Sequence, residues 1–253
     1  MSFAPIELDV RRIWAALQFV DAMSLRTIES PLQVDLLGAT RRRNRSGLFV
    51  VVGLAGAAQA SFVTYEGAFD PIPAVAPLVL VGTVADPEGR YLPRRFTLAL
   101  PRTSAAVPGL ARAPLYEATS VTLDPTPATP LLPTWAALRL SVQRGGRPAA
   151  HAAIRVRRPA GAVLGRGMTD ARGEALVAVV GVAQVTPGLH ELVVEREIAT
   201  EVVVSFDTGA DAVAVIDPDA LAERADGSPG LARLVVPRSL ATGRIEVMNL
   251  ILP

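Results

Sequence analysis

The sequence predicts an all-β protein built from two similar modules in tandem. Along most of the 253 residues, short runs rich in Val, Ile, Leu and Phe are broken by Gly, Pro, Asp and Asn, a pattern typical of strands joined by turns. A strand–turn–strand pattern at residues 17–37 recurs at 138–156, and each copy is followed by a glycine and an apolar strand. A Pro-rich stretch separates the copies. Because such modules usually serve as scaffolds or binding units, catalysis would have to show itself in specific residues.

The first module, residues 1–102, is predicted to contain six strands. They lie near residues 17–22, 31–37, 47–54, 60–65, 78–85 and 94–100. Residues 6–20 fit either a strand or a short helix, and their loose alternation favours a strand. The turn Asp86-Pro87-Glu88-Gly89 joins the last two strands, since proline presets φ at the second turn position and glycine tolerates a positive φ.

Residues 103–133 are predicted to form a linker. They hold prolines at 108, 114, 125, 127, 130 and 133 and few periodic apolar positions. Pro-rich chain lacks backbone donors for a sheet and tends to be stiff and extended. The domain boundary is therefore expected inside this stretch. A strand at 116–123 either interrupts the linker or ends the first module.

The second module, residues 134–253, is predicted to contain strands near 135–143, 152–158, 174–180, 189–196 and 200–206. A further strand at 212–216 is followed by a short helix with Asp217 as N-cap and Pro218 as its first residue. The chain ends on an apolar strand at 245–252. This strand is expected to be buried in its own sheet or paired with another subunit, because an exposed one would be an aggregation edge.

Two motifs of the second module carry a family resemblance. The residues concerned are Gly146, Pro148, Ala152, Ile154 and Val156, followed by Thr169, Asp170 and Gly173 of a T-D-x-x-G turn. Over about 80 residues the module resembles the transthyretin-like, or carboxypeptidase-regulatory-like, β-sandwich domains. The first module is a weaker relative that lacks the Thr-Asp pair. The resemblance implies two immunoglobulin-like or transthyretin-like β-sandwiches without active-site residues, of a kind often appended to surface, secreted or assembled machinery.

Composition excludes several classes of chemistry. The formal charge is +1, from 25 basic and 24 acidic side chains, so no global field attracts nucleic acid. The absence of cysteine excludes disulfides and zinc–thiolate sites, and the absence of lysine excludes a Walker P-loop. The N-terminus carries acids where a secretory signal carries bases, and no apolar run approaches the ~20 residues that span a bilayer. We therefore expect a cytoplasmic protein.

No catalytic, cofactor or metal site is predicted. The two histidines, His151 and His190, are expected to be ordinary edge or turn residues. A hydrolase that uses one of them is the second alternative function. The loop carboxylates of Asp207, Asp211 and Asp217 suit calcium chemically, but their spacing is not that of an EF-hand.

Arginines are the candidate partner-binding residues. The densest group lies on the predicted hairpin between the strands at 31–37 and 47–54, and a second group flanks the strand at 94–100. The candidates are Arg41, Arg42, Arg43, Arg45, Arg94 and Arg95. Each group is either solvated at the surface or binds a partner. An acidic protein is favoured over nucleic acid, because no aromatic residues are interleaved to stack on bases.

These features predict a non-enzymatic structural or adaptor component of a multiprotein assembly. Its expected partners are other protein subunits or further copies in an oligomer or ring, with no membrane and no nucleic acid. A bacterial phage-tail-like contractile particle is favoured by analogy with small β-sandwich adaptors at caps, collars and baseplates. The alternative is a carbohydrate or surface-ligand binding module, which would present exposed aromatic side chains on one face.

Overall fold

The computed structural model describes residues 13–55, 78–100, 117–131, 135–159, 161–179, 197–210, 215–241 and 243–253. These residues are almost entirely β, which confirms the predicted class. The strands are β1 Ala15–Asp21, β2 Gln33–Leu36, β3 Ala39–Arg43, β4 Phe49–Leu54, β5 Leu78–Ala85, β6 Arg94–Leu100, β7 Thr119–Leu123, β8 Ala136–Arg144, β9 Arg147–Pro148, β10 Ala153–Arg157, β11 Val163–Met168, β12 Glu174–Val179, β13 Ile198–Asp207, β14 Leu231–Leu240 and β15 Ile245–Leu252. Helix α1 spans Pro218–Glu223.

The strands form four sheets, with the orders β3-β4-β1-β7, β2-β5-β6, β11-β10-β13-β14 and β12-β8-β15, the last with β9 also paired to β8. The chain divides into two compact units. One comprises the described residues within Met1–Phe19, Asp35–Gly82 and Thr97–Val121, and the other those within Val20–Val34, Thr83–Phe96 and Thr122–Pro253. The predicted linker falls partly outside the described residues, and the predicted domain boundaries stay a prediction.

The predicted strands match the structure wherever local pattern was strong. The strands at 78–85 and 94–100 have the predicted bounds, and β8, β10, β12 and β13 agree within two residues. The strands predicted at 60–65 and 189–196, and most of the one at 212–216, lie outside the described residues. β3, β9 and β11 are among the strands that were missed. β11 contains two glycines and an arginine, and β3 contains the arginine run, so neither has the apolar composition of a typical strand.

The larger unit is built around one hydrophobic core. β8 pairs antiparallel with β12 and parallel with β15, while β10 lies between β11 and β13, antiparallel to both. Buried side chains from both sheets form a single cluster that includes Leu138, Leu140, Ile154, Val177, Val204 and Leu250. Two sheets that share one core are compatible with a β-sandwich.

The T-D-x-x-G turn before β12 is held by its own side chains. The buried hydroxyl of Thr169 accepts from the Ala152 N–H at 2.7 Å and donates to the Ala149 carbonyl at 2.6 Å. Asp170 Oδ1 accepts from the Glu174 N–H at 3.0 Å. Gly173 has a φ of +75°, and an added Cβ would lie 2.5 Å from a backbone oxygen. The motif that carries the family resemblance therefore has a structural role here.

Helix α1 begins where the sequence predicts. Asp217 is its N-cap, and Oδ1 of this residue accepts from the Asp219 N–H at 3.1 Å and the Ala220 N–H at 3.3 Å, while Pro218 occupies the first turn. This satisfies backbone donors that have no partner within the helix. The helix is only six residues long, and no helix in the described part of the chain has the length and apolarity to cross a membrane.

Candidate interaction surfaces

The arginine run does not lie on a loop. Arg41, Arg42 and Arg43 belong to β3, which pairs with β4 and ends its sheet among the described residues, and Arg45 lies in the following turn. The loop placement was wrong because the turn begins at Asn44, whose Oδ1 accepts from the Ser46 and Leu48 N–H groups at 3.0 and 2.9 Å. Asparagine is well suited to this kind of turn.

Placement on a strand separates the guanidinium groups. Arg43 lies opposite the buried Phe49, and its guanidinium carbon is 5.4 Å from the ring centroid. Arg41 is 3.9 Å from Asp35, and Arg42 and Arg45 are exposed. Since successive strand residues face opposite sides of a sheet, these side chains do not form a single cationic binding surface. Their partner-binding role stays a prediction that has gained no geometric support.

Arg94 is buried, although its place in the sequence predicted a residue on the surface or in contact with a partner. It is 2% exposed, and its Nη2 donates to Asp217 Oδ1 at 3.0 Å and Asp219 Oδ2 at 2.8 Å. Its Nη1 donates to the Thr122 carbonyl at 2.7 Å. Arg94 therefore joins β6 and β7 to the helix start from inside, while its neighbour Arg95 is exposed.

Charged groups around Arg94 extend the cluster. Asp219 also pairs with Arg166 at 3.1 Å. Burial acts to raise the pKa of Asp219, but the charge and hydrogen bond of Arg94, followed by the charges of Arg166 and Arg155, outweigh it and hold this pKa below its ordinary value.

Asp124 is the unusual member of this cluster. It is 3% exposed, and its Oδ1 has no hydrogen-bond partner. Burial raises the pKa of Asp124 to about 6, against the opposing influence of the Arg94 charge. The adjoining cavity of about 10 Å³ has room for one water molecule at most. The cluster is therefore a buried network of ion pairs and has no space for a substrate.

The outer face of β15 is the most conspicuous surface of the larger unit. Met248, Leu250 and Leu252 point into the core, while Val247 and Ile251 on the other face are 74% and 73% exposed. Asn249 is exposed between them. A shallow groove of about 330 Å³ runs beside Val247 and Asn249 over β8 and β12. The sequence predicted an apolar terminal strand, and the structure shows that only one of its faces is covered within the described residues.

The other sequence candidates are not brought together. His151 has a φ of 61° and donates its N–H to the Thr169 carbonyl at 3.1 Å, whereas His190 and Asp211 lie outside the described residues. Asp207 pairs with Arg224 at 3.0 Å, and Asp217 caps α1. Within the described ranges, no three His, Cys, Asp or Glu side chains are grouped to hold a metal ion.

Aromatic side chains offer little surface for stacking a sugar. Each one in the described part of the chain is buried or half-buried. They are Trp14, Phe19, Phe49, Tyr91, Phe96, Trp135 and Phe206. Tyr91 donates to Asp21 Oδ2 at 2.7 Å, and burial, followed by this hydrogen bond, raises the pKa of Tyr91. These rings contribute to packing.

Sequence reasoning missed Asp124 and the inward position of Arg94. Arg94 had a usable signal, because it is in phase with Phe96, Leu98 and Leu100 along β6, and all four are buried. Asp124 had none, since an aspartate before a proline is typical of an exposed turn.

No protein-family model matches the chain, and a search of curated proteins finds no match either.

Proposed function

We propose that the protein is a non-enzymatic structural or adaptor component of a multiprotein assembly. The observation that carries this proposal is the apolar outer face of β15, where Val247 and Ile251 are 74% and 73% exposed. Ile245, which is 50% exposed, lies on the same face, and an exposed apolar surface of this kind usually marks an interaction site. A partner that covers this face would remove it from water.

The charged groups support a structural role over a catalytic one. In the described part of the chain, the most perturbed carboxylate is Asp124, and it is sealed inside the Arg94 cluster next to a cavity of about 10 Å³. A catalytic group must reach a substrate. The cluster instead ties β6, β7 and α1 together.

The finer parts of the proposal rest on analogy. We propose tandem transthyretin-like sandwiches joined by the Pro-rich stretch, and a cytoplasmic particle of the phage-tail-like contractile type as the host assembly. What supports them is the all-β fold, two sheets around one core in the larger unit, and the motif residues at 146–156 and 169–173.

The test is the mass of the full chain by light scattering coupled to size exclusion, alone and in an extract of its source. The proposal expects wild type to enter a large particle and Val247→Arg to be depleted from it. Val163→Arg is the matched control, because Val163 is also an exposed strand valine, at 43%, on β11 of the other sheet. A wild-type chain that stays a monomer in both conditions would refute the proposal.

A further inference from the structure

We propose that β15 pairs antiparallel with β15 of a second copy of this chain, about a two-fold axis through Asn249. This inference rests on the proposed function and concerns the open edge of β15, while the outer face of the strand stays available to a further partner. The resulting sheet would run β12-β8-β15 in one copy and continue through the same strands in reverse order in the other. It is a closed, isologous contact.

The backbone of β15 is ready for such pairing. β15 is the terminal strand of its sheet among the described residues, and it pairs in regular parallel register with β8 from Ile245 to Leu252. The Ala137 N–H donates to the Arg244 carbonyl at 3.0 Å. In a parallel ladder this places the N–H and C=O groups of the even-numbered residues of β15 toward β8. The backbone groups of residues 245, 247, 249 and 251 therefore face the open edge.

The same residues carry the exposed side chains. In an antiparallel pair, hydrogen-bonded residues lie directly opposite each other and point their side chains to the same face. A two-fold axis at Asn249 places Val247 of each copy opposite Ile251 of the other copy. Asn249 then lies opposite Asn249 of the other copy. Apolar side chains then meet apolar ones, the two amides meet each other, and about six backbone hydrogen bonds form. Moving the axis to Met248 would instead oppose Asn249 to Val247.

Charge favours the same register. Glu246 is the one charged residue of β15, and the axis at Asn249 sets it opposite Leu252 of the second copy. Leu252 is the register partner of Arg144 on β8. Glu246 of one copy and Arg144 of the other therefore lie in one cross-strand row, about 10 Å apart at their Cα atoms. Arg144 Nε donates to the Pro253 carbonyl at 2.9 Å, and the two Nη atoms of this guanidinium carry further donors.

Among the described strands, two others that end a sheet carry protection that β15 lacks. β3 ends its sheet with Arg41, Arg42 and Arg43, and β14 carries the exposed Pro237. Positive charge and proline are the usual devices that stop an edge from pairing. β15 has no proline and no exposed charge, over a length of about 27 Å. An unprotected regular edge is what a symmetric pairing needs.

The test combines solution mass with disulfide trapping in the full chain. Wild type is expected to be a dimer at tens of micromolar, and Val247→Arg and Asn249→Pro are each expected to weaken it at least about 100-fold. The proline removes an N–H that faces the open edge, so the bonds to β8 are kept. Val163→Arg is the control, and circular dichroism checks that each variant is folded.

Disulfide trapping tests the register of the β15–β15 pairing. The chain has no cysteine, so Asn249→Cys introduces a single thiol that meets its copy at a Cα separation of about 5.5 Å, within disulfide range. Rapid oxidative cross-linking of Asn249→Cys, with Val163→Cys unlinked, is the expected result. A wild-type monomer at 100 micromolar, an unchanged dimer in Val247→Arg, or equal cross-linking of both cysteine variants would each overturn the pairing.

The outcomes separate this inference from the proposed function. If wild type enters a large particle in source extract but is a monomer by itself at 100 micromolar, the assembly role stands and the β15 pairing fails. If Asn249→Cys cross-links as expected and wild type enters no particle in source extract, the pairing stands and the assembly role fails.

Discussion

Replacing Arg94 by methionine should destabilise the protein by about 3 kcal/mol. Methionine keeps most of the aliphatic stem but removes the guanidinium, which donates to Asp217, Asp219 and the Thr122 carbonyl. Breaking a buried ion pair on one side costs about 3–5 kcal/mol, because the remaining charge stays buried. The lower end applies here, since the Asp219 side chain is 43% exposed and regains part of its hydration.

The assay is thermal and urea unfolding followed by circular dichroism. For a chain of this size, about 3 kcal/mol corresponds to a fall in Tm of about 6–12 °C. Arg95→Met is the matched control, because Arg95 is adjacent and exposed, and a surface substitution is expected to stay within about 0.5 kcal/mol. Equal unfolding midpoints for Arg94→Met and wild type would refute a stabilising role of the buried ion-pair network.

Three further perturbations test the larger unit. Asp124 contributes stability that is fully present below about pH 4, its unfolded pKa, and is lost as the pH rises through about 6. Asp124→Asn should remove this pH dependence, a total change of about 3 kcal/mol in the free energy of unfolding measured by urea titration. Gly173→Ala should cost about 3 kcal/mol, because its φ is +75° and the new Cβ meets the Val142 carbonyl. Thr169→Val should cost about 2 kcal/mol, since it leaves a buried donor and acceptor unpaired.

Each of these has a matched control. The Asp219 carboxylate is the internal control for Asp124. Because the pKa of Asp219 is lowered, its contribution to stability is lost only as the pH falls below about 4, outside the pH range in which Asp124 titrates. Gly89→Ala shares a positive φ of +68° but meets nothing within 4 Å, and should cost about 1 kcal/mol. Thr169→Ser keeps the hydroxyl. An unchanged pH slope in Asp124→Asn, equal costs at the two glycines, or equal stability of Thr169→Val and wild type would each contradict the argument.

The sequence predicted best where structure depends on neighbours along the chain. Strands β5 and β6 have the predicted bounds, because their runs of Val and Leu end at recognisable turn residues. The N-cap at Asp217 was also predicted, since an aspartate before a proline is a local helix-start signal. β3 was missed, because a run of arginines is not typical of a strand. Only the pairing of these residues with β4 makes the segment a strand.

What the sequence determined by itself was therefore the all-β class, most described strands and the turns. These depend on side-chain periodicity and on the φ preferences of glycine, proline and asparagine, which act over a few residues. Only the tertiary structure decided that Arg94 meets Asp217 and Asp219, more than 120 positions away. It also decided which face of β15 is covered, because Val247 and Met248 are both apolar and only the packing of two sheets buries one and exposes the other.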